Sequence, residues 1–231
     1  AASYDADMHA NPNNPSATNG TDQAWGGNRA RPDLVKKFFP NGNVPNLESY
    51  ATAEAAGDDR ALFNGVNRTL DNDDVSTFKS GFGVAKFTNF KTDGSAGHDA
   101  TFPDADFFLM RVAEAYLNYA EADARLNGEQ TTEEGTAAIN AIRKRAHAST
   151  REDRGYSLSD ICDEWSREFY FEGRRRMDLI RFNRYGGNVN YNWQWKGGTK
   201  EGRNFSKDLN IFAIPTNELT SNKNLTQNPG Y

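Results

Sequence analysis

At Asp104 this chain acquires a periodicity that residues 1–103 lack, and that change limits the folds open to it. The stretch DADFFLMRVAEAYLNYAEADARLNG sets Leu109, Val112, Ala113, Tyr116, Leu117, Ala120 and Ala124 on one face at helical spacing. It stops at Asn127-Gly128, a common helix terminus. TTEEGTAAINAIRKRA then restarts with a capping box from Thr131 to Glu134 and carries Ala138, Ile142 and Ala146 on its core face. Basic residues crowd its last turn, where the helix dipole favours them. So many alanines let two backbones approach closely, and the pair reads as an antiparallel hairpin like one tetratricopeptide unit. It matches the outline of that unit and not its full repeat consensus.

A third helix is predicted after GYSLSD, capped by Ser157 or Ser159, kinked at Gly173 and ending near Tyr185. Ile161, Trp165, Phe169 and Ile180 fall on one apolar face, and Glu172 and Arg176 lie in its middle, four residues apart in the favourable order. Arg175 to Asp178 and Asp178 to Arg181 are each three apart, and Glu168 sits one turn before Glu172. This describes an internal ion-pair network of Glu168, Glu172, Arg175, Arg176, Asp178 and Arg181 around a helix kink. A catalytic reading would make Glu168 and Glu172 an acid and base pair, as in glycoside hydrolysis. A general acid needs a raised pKa, and neighbouring arginines lower it, so the structural reading is preferred.

Around these helices the chain is loop-rich. Residues 1–103 are dense in Asn, Gly, Asp and Pro, with a short helix predicted at PDLVKKFF and a strand at GFGVAKFTNF. Residues 104–185 form the helical scaffold. Residues 186–231 comprise a glycine-rich aromatic loop, a short extended run to Pro215 and an irregular tail. A net charge of −5 argues against nucleic acid as a partner. The single cysteine, Cys162, excludes an internal disulfide, and the scattered His9, His98 and His147 lack ligand spacing. DNDD, Asp71 to Asp74, opens like a calcium loop but lacks the remaining ligands, and reads as a solvated turn. No metal or cofactor is expected.

The string Glu164-x-x-x-Glu168-x-x-x-Glu172-Gly173-x-Arg175-x-x-Asp178-Leu179-x-Arg181 resembles a hallmark of the SusD/RagB family of outer-membrane nutrient-binding lipoproteins. RVAEAYLNYAEA with AINAIRKRA resembles the family's helical pair, and IFAIPTNEL with NLTQNPGY its C-terminal signature. Trp165 departs from the pattern, which usually has Arg there, and implies a partly different network. The resemblance implies a mainly α, SusD-like fold: tetratricopeptide-like hairpins with long inserted loops and a few short strands. It implies non-enzymatic binding of oligosaccharides or other nutrients at the outer surface of a Bacteroidetes cell, and delivery to a SusC-like TonB-dependent transporter. Family members are about twice this long, so the chain is expected to be a C-terminal half. Its lipid anchor and first helical repeats would lie upstream, and the missing N-terminal half would be a partner.

A glycan site stacks aromatic faces on sugar C–H surfaces and bonds the hydroxyls with amides, carboxylates and arginines. DQAWGGNRAR offers Trp25 between small residues, with Asp22, Gln23, Asn28 and Arg29 as hydroxyl partners. Tyr4, His9 and Phe63 are further candidates. The competing reading buries Trp25 under the loops. In YNWQWKGG, Trp193 and Trp195 would share one face of an extended segment, and the resemblance implies that this segment packs on the scaffold rather than on ligand. A tetratricopeptide-like adaptor for protein or peptide is the alternative function.

Overall fold

The computed structural model describes residues 20, 21 and 27–231, and the chain divides into two compact units after Gly173. The first holds α1 (Pro32–Val35) with a 3-10 turn to Phe38, α2 (Ser49–Ala56), β1 (Phe63–Asn64), β2 (Gly83–Val84), α3 (Val112–Leu126), α4 (Glu133–Arg145) and α5 (Leu158–Phe169). The second holds α6 (Arg175–Arg181), two 3-10 turns and α7 (Thr216–Ser221). The fold is mainly helical with minimal strands, as expected. β1 pairs antiparallel with β2, Phe63 opposite Val84.

Helices α3 and α4 form the expected hairpin, and α3 also packs on α5. Leu117, Ala120 and Ala124 are fully buried. A Cβ at Gly135 of α4 would fall 2.1 Å from the Asp123 carboxylate of α3, which accepts the Thr132 N–H, so a larger residue there would displace that carboxylate. The predicted single apolar face of α3 is in fact two stripes. Ala113, Leu117, Ala120 and Ala124 turn inward, whereas Val112 and Tyr116 belong with Tyr119 and Leu126 on a neighbouring stripe that is exposed. At 100° per residue the two stripes are centred about 120° apart, too far to face one partner helix.

The capping box expected at Thr131 is not made. Thr132 is the N-cap of α4, and Thr131 instead accepts the Tyr156 N–H (2.8 Å) and bonds the Thr136 hydroxyl. Ser157 does cap α5, in a reciprocal box with Asp160.

The predicted kinked helix is two helices separated by a break. Phe171 and Gly173 both take positive φ (60° and 78°). Cations from distant segments satisfy the carbonyls at the end of α5. Lys86 Nζ donates to Glu168 and Tyr170, each at 3.0 Å, and Arg111 Nη2 donates to Glu168 at 2.7 Å. Tyr170 then turns into an aromatic core with Phe38 and Phe63, its ring 5.3 Å from that of Phe63. This cluster, with Ala30, Val35, Phe82 and Val84, anchors the loop-rich segment on the end of α5.

In the second unit Trp193 and Trp195 do not share an extended face. Trp195 takes φ 68° at the start of a 3-10 turn, because Lys196 is drawn inward to donate to the Asn188 and Tyr191 carbonyls. Its ammonium lies 4.7 Å from the centre of the Trp193 ring, which stacks on Tyr185. The tail is more ordered than predicted. Gln227 bonds both the N–H and the C=O of Ile214, imitating a paired strand, and Asn228 and Tyr231 donate to Phe212 and Ile211.

The hairpin's close approach has a direct test. Ala120→Leu forces a larger side chain into a fully buried site, and chemical denaturation should show a loss of about 1–3 kcal/mol; an unchanged midpoint would show that α3 and α4 have room to spare.

Candidate functional site

The most heavily charged feature is a set of three carboxylates, Glu164 and Glu168 one turn apart on α5 and Glu172 just beyond its end. Glu164 is 1% exposed and accepts from Arg60 Nη1 (2.8 Å), Arg143 Nη1 (2.7 Å) and both Nε and Nη2 of Arg167. Glu168 accepts from Arg60 Nη1 (2.9 Å), from Arg145 Nη2 through both oxygens, and from Arg111. Glu172 takes the Lys86 ammonium and two N–H groups of Arg111, at 2.8 and 2.7 Å. Local spacing pointed Glu172 toward Arg176. Its partners instead come from the loop-rich segment and from the residue preceding α3, because the break after α5 ends helical spacing there.

Burial would raise each of these carboxyl pKa values, but the surrounding cations reverse the sign. Arg167, Arg60 and Arg143 hold Glu164 well below the ordinary range, and Arg111, Arg60 and Arg145 hold Glu168 below it. Arg111 and Lys86 do the same for Glu172. Lys86 itself is lowered by burial, which its pairing with Glu172 only partly offsets. A pocket of about 300 Å³ opens over this cluster, lined in part by Phe87, Phe108 and Tyr170. Chemically it presents ion pairs in which the surrounding cations favour the ionised forms of Glu168 and Glu172.

The other network residues lie in the second unit. Asp178 is 1% exposed and accepts from Arg181 (3.0 Å) and, at 3.4 Å, from Arg174. Arg175 donates to the Tyr191 hydroxyl. Arg176 donates to the Leu209 and Asn210 carbonyls and lies over the Phe212 ring at 4.0 Å. Trp165, the departure from the family string, is fully buried and donates its indole N–H to Glu121 of α3 (3.0 Å). It ties α5 to α3 where an arginine would have brought a charge.

Of the predicted ligand residues, Tyr4, His9, Asp22, Gln23 and Trp25 lie outside the described residues. Asn28 is exposed. Arg29 is engaged: it donates to the carbonyls of Val75 (3.0 Å) and Thr77, holding a turn 46 and 48 residues away. Phe63 is fully buried in the aromatic core, which removes it as a ligand contact. Asp74 caps its own turn, accepting from the Ser76 N–H and the Ser76 and Thr77 hydroxyls. Sequence reasoning missed Arg60, Lys86, Arg111, Arg143 and Arg145 as partners of the carboxylate row. Only burial and long-range folding bring them there, and no local spacing marks them.

Residues 50–231 match the model of the SusD family. The chain belongs to that family. It is 37% identical over 243 aligned residues to the starch-binding protein SusD of Bacteroides thetaiotaomicron, covering 92% of this chain and 43% of SusD. A solved SusD-like protein from Bacteroides fragilis superposes with a TM-score of 0.58 at 21% identity, over 91% of this chain and 48% of that one. A laminarin-binding SusD-like protein superposes with a TM-score of 0.51 at 23% identity, over 87% of this chain and 37% of that one. The chain spans less than half the length of these relatives, and the structural likenesses establish the shared fold. Among the described residues, no helix is long and apolar enough to cross a membrane.

The carboxylate row carries a prediction. Glu168→Gln leaves the largely buried Arg60, the half-buried Arg111 and the exposed Arg145 short of a counter-charge, and unfolding should show a loss of about 3–5 kcal/mol. The pH sign follows from the depressed values. The folded carboxylates bind fewer protons than the unfolded ones, whose ordinary value is 4.5, so their contribution is complete above about pH 4.5 and is lost as pH falls below it. Stability that was flat from pH 6 down to pH 3 would contradict this.

Proposed function

We propose that this chain is part of a non-enzymatic glycan-binding protein of the outer cell surface, one that passes oligosaccharide to a SusC-like TonB-dependent transporter. The observation that carries the reading is the 37% identity with a starch-binding protein over nearly the whole chain. The charge network agrees with it, because its carboxylates are ionised by design of their surroundings and suit bracing better than proton transfer. The lipid anchor would belong to sequence upstream. In this reading Trp25 is the stacking residue, with Asn28 and Asp22 as hydroxyl partners and Tyr4 as a further candidate contact. Arg29 acts mainly by holding the neighbouring turn.

The rest of the SusD-like fold is the second partner in the proposal. Val112, Tyr116, Tyr119 and Leu126 make an exposed apolar stripe on α3, continued by Phe107, Phe108, Leu109 and Met110. A helical hairpin of this kind buries its second face against a neighbouring hairpin. The relatives carry more than half of their length beyond what this chain aligns to. The occupant we assign to the stripe is therefore a helical hairpin of the missing N-terminal half.

Two outcomes are expected. In calorimetry of the full-length protein against a glycan panel, one or more saccharides bind, Trp25→Ala weakens them, and the sugar is recovered intact; silence across the panel, or a peptide ligand in its place, would move the assignment to the adaptor alternative. The isolated chain should bind a hydrophobic dye and self-associate, and the full-length protein should do neither. An isolated chain that stays monomeric and dye-silent would refute the docking of the missing half.

A further inference from the structure

Between Arg68 and Phe82 the chain forms a turn that is held from beneath by two arginines. Arg29 donates to the carbonyls of Val75 and Thr77, and Arg68 donates to that of Phe78 at 2.5 Å. From within, the Asp74 carboxylate accepts three hydrogen bonds from Ser76 and Thr77, and Ser80 Oγ accepts the Asp74 N–H at 2.9 Å. The ends of the turn are tied by backbone pairing of Thr69 with Ser80 and of Ala30 with Phe82. Gly81 takes φ 104°, and a Cβ there would lie 2.2 Å from the Asn72 amide, so the exit of the turn is tightly packed as well.

With its carbonyls directed onto arginines, the turn presents its apolar side chains outward. Val75 is 59% exposed and Phe78 is 62% exposed. A scattered exposed apolar residue is ordinary, but here two lie three residues apart on a segment that at least eight polar contacts keep in one conformation. A ligand that meets such a turn orders little that is not already ordered, which is where affinity is gained.

The size of the patch decides the class of ligand. Two side chains fall far short of the roughly 800 Å² per partner that a stable protein interface buries. One phenyl ring does suffice to cover the C–H face of a single pyranose. Asn28 is exposed and adjacent in sequence to the arginine that braces the turn, and its amide is of the kind that bonds sugar hydroxyls.

We propose that the Asp74–Ser80 turn is a carbohydrate subsite in which Phe78 is the stacking face and Asn28 a hydroxyl partner. This rests on the glycan-binding reading above and extends it to a segment that reads from sequence as a solvated turn. Arg29 and Arg68 are positioning residues that hold the ring in place.

The test uses the full-length protein and whichever panel glycan binds the wild type. Phe78→Ala should raise its Kd about tenfold, the scale of one aromatic contact, whereas Phe78→Trp should keep it within about twofold. Because Phe78 is exposed, both variants should retain the wild-type unfolding midpoint. Wild-type affinity in Phe78→Ala, with binding otherwise intact, overturns the subsite alone. Failure of the wild type to bind any glycan overturns the glycan reading and the subsite with it.

Discussion

Everything in the first unit is arranged around three carboxylates that leave water at the end of α5. Glu164 and Glu168 lie one turn apart, Glu172 follows beyond the helix break, and bare like charges so close in the chain would repel. Their burial is tolerable only if cations arrive from elsewhere, and they arrive from three directions. Arg60 and Lys86 come from the loop-rich segment, Arg111 from the residue before α3, and Arg143 and Arg145 from the last turn of α4. Each of these segments is thereby fixed relative to α5 by charge as well as by apolar contact.

That arrangement answers a difficulty peculiar to loop-rich folds. Long loops have little hydrophobic surface with which to offset their ordering entropy. Here the aromatic cluster of Phe38, Phe63 and Tyr170 contributes burial, and the charged groups beside it contribute direction. Arg60 shows the combination. Its guanidinium joins Asp58, Glu164 and Glu168, while its backbone carbonyl accepts the Tyr170 hydroxyl at 2.7 Å. Replacing the whole network with apolar residues need not destabilise the fold, but removing one member strands the others, which is how buried ion pairs enforce a single arrangement.

The sequence was legible where the controlling contacts were local. The two hairpin helices, the Asn127-Gly128 stop, the Ser157 cap and the Pro32 helix start depend on near neighbours and are found, whereas the Thr131 capping box fails because Tyr156 takes the Thr131 hydroxyl. The helix break near Phe171 was misread as a kink because its cause is remote: Lys86 and Arg111 satisfying the terminal carbonyls. The same blindness sent Glu172 toward Arg176. On α3, residue spacing identified the apolar positions but not that they serve two different surfaces. For Trp195, alternation suggested a strand, and the pull of buried Lys196 on two carbonyls prevailed. Of the candidate site, the segment around Trp25 names Asn28 and Arg29 as hydroxyl partners; Asn28 is exposed, and Arg29 is committed to the carbonyls of Val75 and Thr77. That Arg29 holds this turn was not legible, since 46 residues separate the guanidinium from the carbonyl of Val75.

The engagement of Arg29 changes what determines ligand choice in the proposed site. A free guanidinium would recognise hydroxyls or carboxylates directly, and its reach would make it permissive. A guanidinium already committed to main-chain carbonyls acts instead through the shape it imposes on the turn. Selectivity then depends on where a rigid aromatic face stands relative to its neighbours, a property of backbone geometry rather than of donor chemistry. Relatives that share the carboxylate row would keep the same scaffold and differ in ligand through the turns set upon it. In the proposed reading the most heavily charged stretch of this protein serves binding at a distance, by anchoring the loop-rich segment through Arg60 and Lys86.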